Sequence, residues 1–322
     1  MTTTENILVV KLSALGDFIQ ALGPMKAIRQ HHPDAHITLM TTKAFAGFGK
    51  DCGYFDEIWI DEKPKWYNFT DWVDLSRRLN LANFARVYDL QNNDRTRMYF
   101  KFLRGPNRPE WVGTAKKGSH YNGSSKRTQG TAFAGHAQTL ALAGINNVSI
   151  DKLEWMDTDL SLFPIESPYA LIVAGCAPSR PNKRWPIENF VKIAKKLTDH
   201  NIQPVLIGSE SEKDINAAIK SECAQALDLT ARTNLTQIGC LARDAVLSVC
   251  NDTGPAHIIG VTGCPCYVAF SSKESNPHKH APLGENIYKF VAEDIADIHS
   301  ADIWESISNQ INPKTAKTKT TK

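Results

Sequence analysis

Ile7-Leu8-Val9-Val10-Lys11-Leu12-Ser13-Ala14-Leu15-Gly16-Asp17 takes an unbroken apolar run through a loop of small residues straight into a helical pattern. The run from Ile7 to Val10 is short and partly β-branched, as expected of a strand buried on both faces of a parallel sheet. Phe18, Ala21, Leu22, Met25 and Ile28 then recur at helical spacing up to His31-His32-Pro33. The spacing therefore predicts strand, turn and helix. In an open α/β sheet the loop after such a strand opens at the carboxyl ends of the strands, where ligands bind. Asp17 falls at that mouth. A carboxylate there can cap the helix by accepting orphan amides, or it can act as a general base towards a hydroxyl held opposite it.

A chain of 322 residues is long enough for two domains, each with its own core. Its 42% hydrophobic and 22% charged content is that of a soluble globular protein. A net charge of +3 is too small to argue for a nucleic-acid partner. The cations are clustered, however. Lys116, Lys117, Lys126 and Arg127 share one Gly/Ser-rich loop, and Lys314, Lys317, Lys319 and Lys322 form the tail. Such clusters attract anionic ligands or an anionic membrane face. No apolar run approaches the roughly 20 residues of a bilayer span, and Met1 to Asn6 lacks the features of a signal peptide. A cytoplasmic protein is expected. Seven cysteines, an odd number, suit a reducing compartment with buried thiols. Cys264-Pro-Cys266 with His278 and His280 lacks the usual zinc spacing, so no metal is expected.

Along the chain, strands are expected at 37–40, 57–60 and 86–90, with helices between them, so the sheet is mainly parallel. Trp111 to Gly130, with four glycines among basic residues, reads as a mobile surface loop. A helix from Thr131 to Ala143 follows. Leu162 to Pro168 carries two prolines and reads as a linker, after which the alternation restarts at Tyr169. Strands at 169–173, 204–207, 246–250, 266–270 and 287–291 alternate with helices, ending in one from Ile295 to Ile311. The expected organisation is a first α/β domain over 1–163, a linker at 164–168, a second over 169–313 and a disordered basic tail over 314–322. Two such halves imply a cleft.

Val249-Cys-Asn251-Asp252-Thr253-Gly254-Pro255-Ala-His257 repeats the opening theme in the second half. A strand ends, a polar turn follows, and Pro255 stands where a helix tolerates it. The amides around Thr253 and Gly254 make an anion site for a phosphate or pyrophosphate. Asp252 suits loop amides or a sugar hydroxyl better than a phosphate, and His257 reads as a helix residue packing on the sheet. Lys183 and Arg184, in the loop after the 169–173 strand, are cations able to meet a phosphate. No G-x-x-x-x-G-K-[ST] and no strand leading into G-x-G-x-x-G is present. Paired D-x-D carboxylates are also lacking, which leaves backbone amides and basic side chains to neutralise a diphosphate.

Four motifs in this order, Ser13-Ala-Leu-Gly16-Asp17, Asp89-Leu-Gln91 with Arg95, Lys183-Arg-Trp-Pro186 and Asn251-Asp-Thr-Gly-Pro-Ala-His257, resemble the heptosyltransferase family of glycosyltransferases, family nine. The resemblance implies two Rossmann-like domains in the GT-B arrangement, with mainly parallel sheets facing across a cleft. It implies inverting transfer of a heptose from a nucleotide-diphosphate heptose, usually ADP-linked, to the lipopolysaccharide inner core, with no cofactor. Asp17 becomes the catalytic base. Ser13, Gly16, Lys183, Asp252, Thr253, Gly254 and His257 become donor contacts, and Glu212 a candidate for the donor ribose. Arg95 and the loop cations Lys116, Lys117, Lys126 and Arg127 fall on the side of an anionic, lipid-linked acceptor at the inner membrane. Two alternatives stay open: a GT-B-like sugar-nucleotide epimerase and a non-catalytic nucleotide-sugar-binding protein.

Overall fold

The computed structural model describes residues 4–103 and 108–311. The basic tail from Lys314 onward lies outside these residues. The chain divides into two compact units, Met1–Trp155 and Met156–Lys322.

The first unit is built on β1 (Asn6–Val10), β2 (His36–Thr41), β3 (Glu57–Ile60), β4 (Arg86–Asp89), β5 (Glu110–Gly113) and β6 (His120–Tyr121). They form one sheet in the order β3-β2-β1-β4-β5-β6, every pair parallel. The β-branched and leucine run of β1 holds the centre because both its faces are covered. Ile7, Leu8, Val9 and Val10 are at most 1% exposed, and burying each such side chain contributes about 1.5–3 kcal/mol. Val9 pairs with Leu39 on one side and Tyr88 on the other.

The second unit repeats the plan with β7 (Tyr169–Val173), β8 (Gln203–Leu206), β9 (Leu227–Asp228), β10 (Leu247–Asn251), β11 (Cys266–Ser271) and β12 (Ile287–Ala292). Their order is β12-β11-β10-β7-β8-β9, again all parallel. Counted from the first strand of each unit, both sheets run 3-2-1-4-5-6, the doubly wound order that puts a ligand crevice where the first strand meets the fourth. Phe190, Ile193, Ala194 and Leu197 of the helix Ile187–Asp199 are all 0% exposed, packed in the second unit's core with Trp185 and Tyr267.

Three elements differ from the sequence reading. The stretch expected to be a mobile loop from Trp111 to Gly130 holds β5, β6 and a short turn at Ser125–Thr128. β9 was likewise not expected. β5 has four residues, and β6 and β9, with two each, carry no alternation to read; all three pair with a neighbouring strand that offers free hydrogen-bonding groups. The contacts divide after Trp155, ahead of the proline-bearing stretch at 164–168. Met156 is held by the second unit, its carbonyl accepting from the Cys240 thiol and the Arg243 guanidinium. All seven cysteines are buried and free of disulfides. No helix among the described residues is long and apolar enough to cross a membrane.

Candidate active site

In the first unit the loop Lys11–Ala14 leaves β1 and enters the helix Leu15–His31. Gln91, just past β4, braces it: its Oε1 accepts from the amides of Leu12 at 2.8 Å and Ser13 at 3.1 Å. Ala14 is the helix N-cap, so Asp17 lies within the first turn rather than at the cap. The Asp17 carboxylate is exposed and accepts no hydrogen bond among the described residues. The capping use of Asp17 is therefore not the one adopted. Gly16 is half-buried in the same turn, and Ser13 offers its amide to Gln91 rather than to solvent.

Beneath this loop lie two charged groups, Lys11 and Asp89, to which the sequence analysis gave no role of their own. Lys11 is 3% exposed, with its ammonium 3.4 Å from the Leu90 carbonyl. Burial brings it down to about 8, although the charges of Asp17 and Asp89 oppose that shift. Asp89 is fully buried; its carboxylate accepts from the amides of Gln91 and Asn92 and from the Thr96 hydroxyl. Burial pushes its carboxyl up to about 6, against those hydrogen bonds and the Lys11 charge. An unfolded Asp89 titrates near its ordinary value of 3.8. From about pH 4 to about 6 the folded chain thus holds this proton more tightly, and the stability it contributes declines as pH rises through that window. Asp89→Asn keeps an acceptor for the two amides and should flatten the slope of stability against pH there. Denaturant titrations at successive pH values measure it, and an unchanged slope would assign the proton to another group.

His136 also faces this region. It is 6% exposed, and burial, with the charges of Lys11 and Arg127, holds its imidazole well below the usual histidine range.

The loop cations lie around a cavity of about 890 Å³. Lys116, Lys117 and Arg127 line it, joined by Arg97, Lys101 and Arg108, and no carboxylate is among the described residues lining it. The last three come from the helix Asp94–Phe102 and the segment before β5, where the sequence shows only scattered charge. Lys126 is exposed and outside this lining. Arg95 is outside it as well: its guanidinium donates to the Pro64 carbonyl at 3.1 Å and lies 5.3 Å from the Trp72 ring.

In the second unit a cavity of about 420 Å³ opens at the carboxyl ends of β7, β8 and β10. Gly175, Gly208, Ser209, Glu212, Thr253 and Pro255 are among its lining. This is the strand-order crevice of that sheet. Glu212 is 8% exposed; one carboxylate oxygen accepts from the amide and hydroxyl of Ser209, the other from the Ser211 hydroxyl. Burial works to raise its carboxyl, but these hydrogen bonds and the Arg184 charge hold it below its ordinary value. It is ionised at neutral pH. Gly175 is required beside it, because a Cβ there would stand 2.1 Å from Glu212 Cγ.

Thr253 is the N-cap of the helix Gly254–Val261, and no side chain caps that end, so its first amides stay open at the cavity rim. Asp252 takes neither loop amides nor solvent: Lys183 Nζ lies 2.6 Å from Asp252 Oδ2, with side chains 16% and 7% exposed. The Lys183 loop is anchored by its neighbour. Trp185 is 1% exposed, its amide donates to Asn251 Oδ1 at 3.0 Å and its indole to the Ile298 carbonyl at 2.9 Å. Asn251 in turn donates to the Ala174 carbonyl at 2.6 Å. His257 is 7% exposed within the helix and does not line the cavity. Ser13 and Gly16 belong to the first unit, and the other donor candidates to the second. Among the described residues no three His, Cys, Asp or Glu side chains are grouped to hold a metal ion.

Two parallel sheets of order 3-2-1-4-5-6, each with a loop at its crevice, define a protein of two doubly wound, Rossmann-like units. Residues 129–300, more than half of the chain, match the sequence model of Glycosyltransferase family 9 (heptosyltransferase), and the chain belongs to that family. It is a glycosyltransferase of the GT-B fold class. The Haemophilus influenzae lipopolysaccharide core heptosyltransferase OpsX is 21% identical over 293 residues, covering 86% of this chain and 82% of the relative. The glycosyltransferase family 9 structure from Veillonella parvula superposes with a TM-score of 0.80 at 17% identity, covering 97% of this chain and 98% of that one. The E. coli ADP-heptose lps heptosyltransferase II structure superposes with a TM-score of 0.73 at 19% identity, covering 96% and 99%.

Proposed function

We propose that the protein transfers a heptose from ADP-heptose to the inner core of lipopolysaccharide, with inversion at the anomeric carbon. The observation that carries this reading is the cavity at β7, β8 and β10, with the ionised Glu212 on one side and the uncapped Thr253–Gly254 helix start on the other. A carboxylate facing a ribose and open amides facing a diphosphate are what a nucleoside-diphosphate sugar requires. Names borne by the relatives, an lps core heptosyltransferase and an ADP-heptose enzyme, support the same donor and acceptor.

In this reading Asp17 takes the proton of the acceptor hydroxyl while its oxygen bonds to the anomeric carbon, from the face opposite the diphosphate. The anomeric carbon–oxygen bond breaks and its electron pair leaves with the diphosphate. Lys183 and the amides at Thr253 and Gly254 stabilise that departing charge. Lys116, Lys117 and Arg127, with Arg97, Lys101 and Arg108, receive the phosphates or acidic sugars of a lipid-linked acceptor. Such an acceptor places the enzyme at the cytoplasmic face of the inner membrane, in peripheral contact.

The test is incubation of the full chain with ADP-heptose and a core lipopolysaccharide lacking heptose, read by mass spectrometry. A gain of one heptose, in the anomeric configuration opposite to the donor's, is expected. An isomerised donor without acceptor would establish the epimerase alternative, and donor binding with no turnover on any core acceptor the sensor alternative.

A further inference from the structure

The stretch from Trp66 to Leu81 carries apolar surface that the transfer reaction does not use. Trp66 is 81% exposed, Phe69 75%, Leu81 67%, Val73 64% and Tyr67 55%. Isolated apolar side chains on a surface are ordinary, but five in one loop and helix make a patch of the kind that marks a contact. Phe69, Val73 and Arg77 recur every four residues of the helix Phe69–Leu81, so they share a face. That face borders a groove of about 580 Å³ closed by Trp72 and Phe102. The helix's other apolar side chains are already used: Leu79 is 1% exposed in the core and Trp72 packs on Phe102.

The chemistry around the groove favours one occupant. Trp66 and Tyr67 have amphipathic rings suited to the headgroup level of a bilayer. Lys63 and Lys65 precede them, exposed, and Arg77 lies on the groove itself. Asp71 falls on the opposite side of the helix; Glu62 beside Lys63 and Asp74 near Arg77 are exposed as well, so the excess of positive charge comes from the adjoining six-cation cavity. The helix Asp94–Phe102 joins this groove to the six-cation cavity, since Phe102 lines the first while Arg97, Phe100 and Lys101 line the second. Apolar rings bordered by cations complement an anionic lipid surface, to which each nearby Lys or Arg adds attraction.

We propose that this face docks the protein on an anionic bilayer. Trp66 and Phe69 enter the headgroup region, Lys63, Lys65 and Arg77 meet lipid phosphates, and the neighbouring cation cavity receives the charged head of the acceptor lipid. Only the last of these contacts rests on the transferase reading.

The test is sedimentation of the full chain with vesicles of phosphatidylethanolamine and phosphatidylglycerol, against vesicles of phosphatidylcholine alone. The wild type should partition onto the anionic vesicles at least about tenfold better, an advantage that salt removes. The double variant Trp66→Ser, Phe69→Ser should lose about tenfold or more of that partition while keeping its circular dichroism spectrum and its donor affinity. Its transfer to vesicle-embedded acceptor should fall in proportion, with transfer to the same oligosaccharide freed of lipid unchanged. Equal partition by variant and wild type overturns the docking. So does a dimer that the variant dissociates without any change in vesicle binding, since a second copy would then cover the face. Vesicle binding that depends on this face in a protein without transferase activity supports the docking and removes the transferase reading.

Discussion

Asp17→Asn is expected to lower turnover by about 10²–10⁴-fold, the usual contribution of a general base, while donor affinity stays within about twofold of wild type. The factor corresponds to about 3–5 kcal/mol of barrier. The substitution is well suited to the question. The side chain is exposed and accepts no hydrogen bond among the described residues, so an amide of the same shape fits without repacking. What disappears is the charge and its proton affinity. A carboxylate that served only the helix dipole would cost about 0.3–1 kcal/mol of stability and no activity. The two uses of Asp17 thus separate in one experiment, with turnover at saturating substrate and the unfolding midpoint measured side by side. Undiminished turnover would falsify the base assignment.

Lys183→Met is expected to act on both stability and donor binding. Lys183 and Asp252 form a nearly dry pair, and removing one member of such a pair leaves a buried charge uncompensated at a cost of about 3–5 kcal/mol. The unfolding midpoint in denaturant should drop accordingly. If Lys183 also meets the diphosphate, donor affinity falls by about 10- to 10²-fold, given about 1.5–3 kcal/mol for a charged hydrogen bond. The double variant Lys183→Met, Asp252→Asn resolves the two roles. It removes the stranded carboxylate and should recover most of the stability, yet donor affinity measured by calorimetry should remain low. Recovery of both together would make the pair a structural clamp for the 174–186 loop and remove Lys183 from the donor site.

The pair also shows why the residues on either side of it read differently in the sequence. Lys183 was legible as a cation after a strand, but its partner was not, because Asp252 is sixty-nine positions away. A similar sequence separation hides a contact in the first unit, where Lys11 and Leu90 are 79 positions apart. Asp17 stands out where the loop after an apolar run enters a helix, whereas Lys11, six residues earlier, looks like an ordinary strand-end lysine. Its burial over the Leu90 carbonyl depends on β4 lying beside β1. Arg95 resembled an acceptor contact by motif, and its packing against Trp72 and Pro64 is a tertiary fact that the motif does not carry. Arg97, Lys101 and Arg108 carried no motif at all, yet they complete the cavity the loop lysines begin.

Local periodicity alone specified nine strands, their parallel direction, the doubling of the α/β plan and the strand-to-helix loops at Asp17 and Thr253, because the side-chain repeat of a strand or a helix is written into consecutive residues. Only the folded chain decided the strand β5, the two-residue strands β6 and β9, the division after Trp155, the Lys183–Asp252 pair, the engaged oxygens of Glu212 and the gathering of six cations. Each of these depends on groups far apart in sequence that meet when the sheet aligns them, and long-range proximity leaves no mark in the order of the residues.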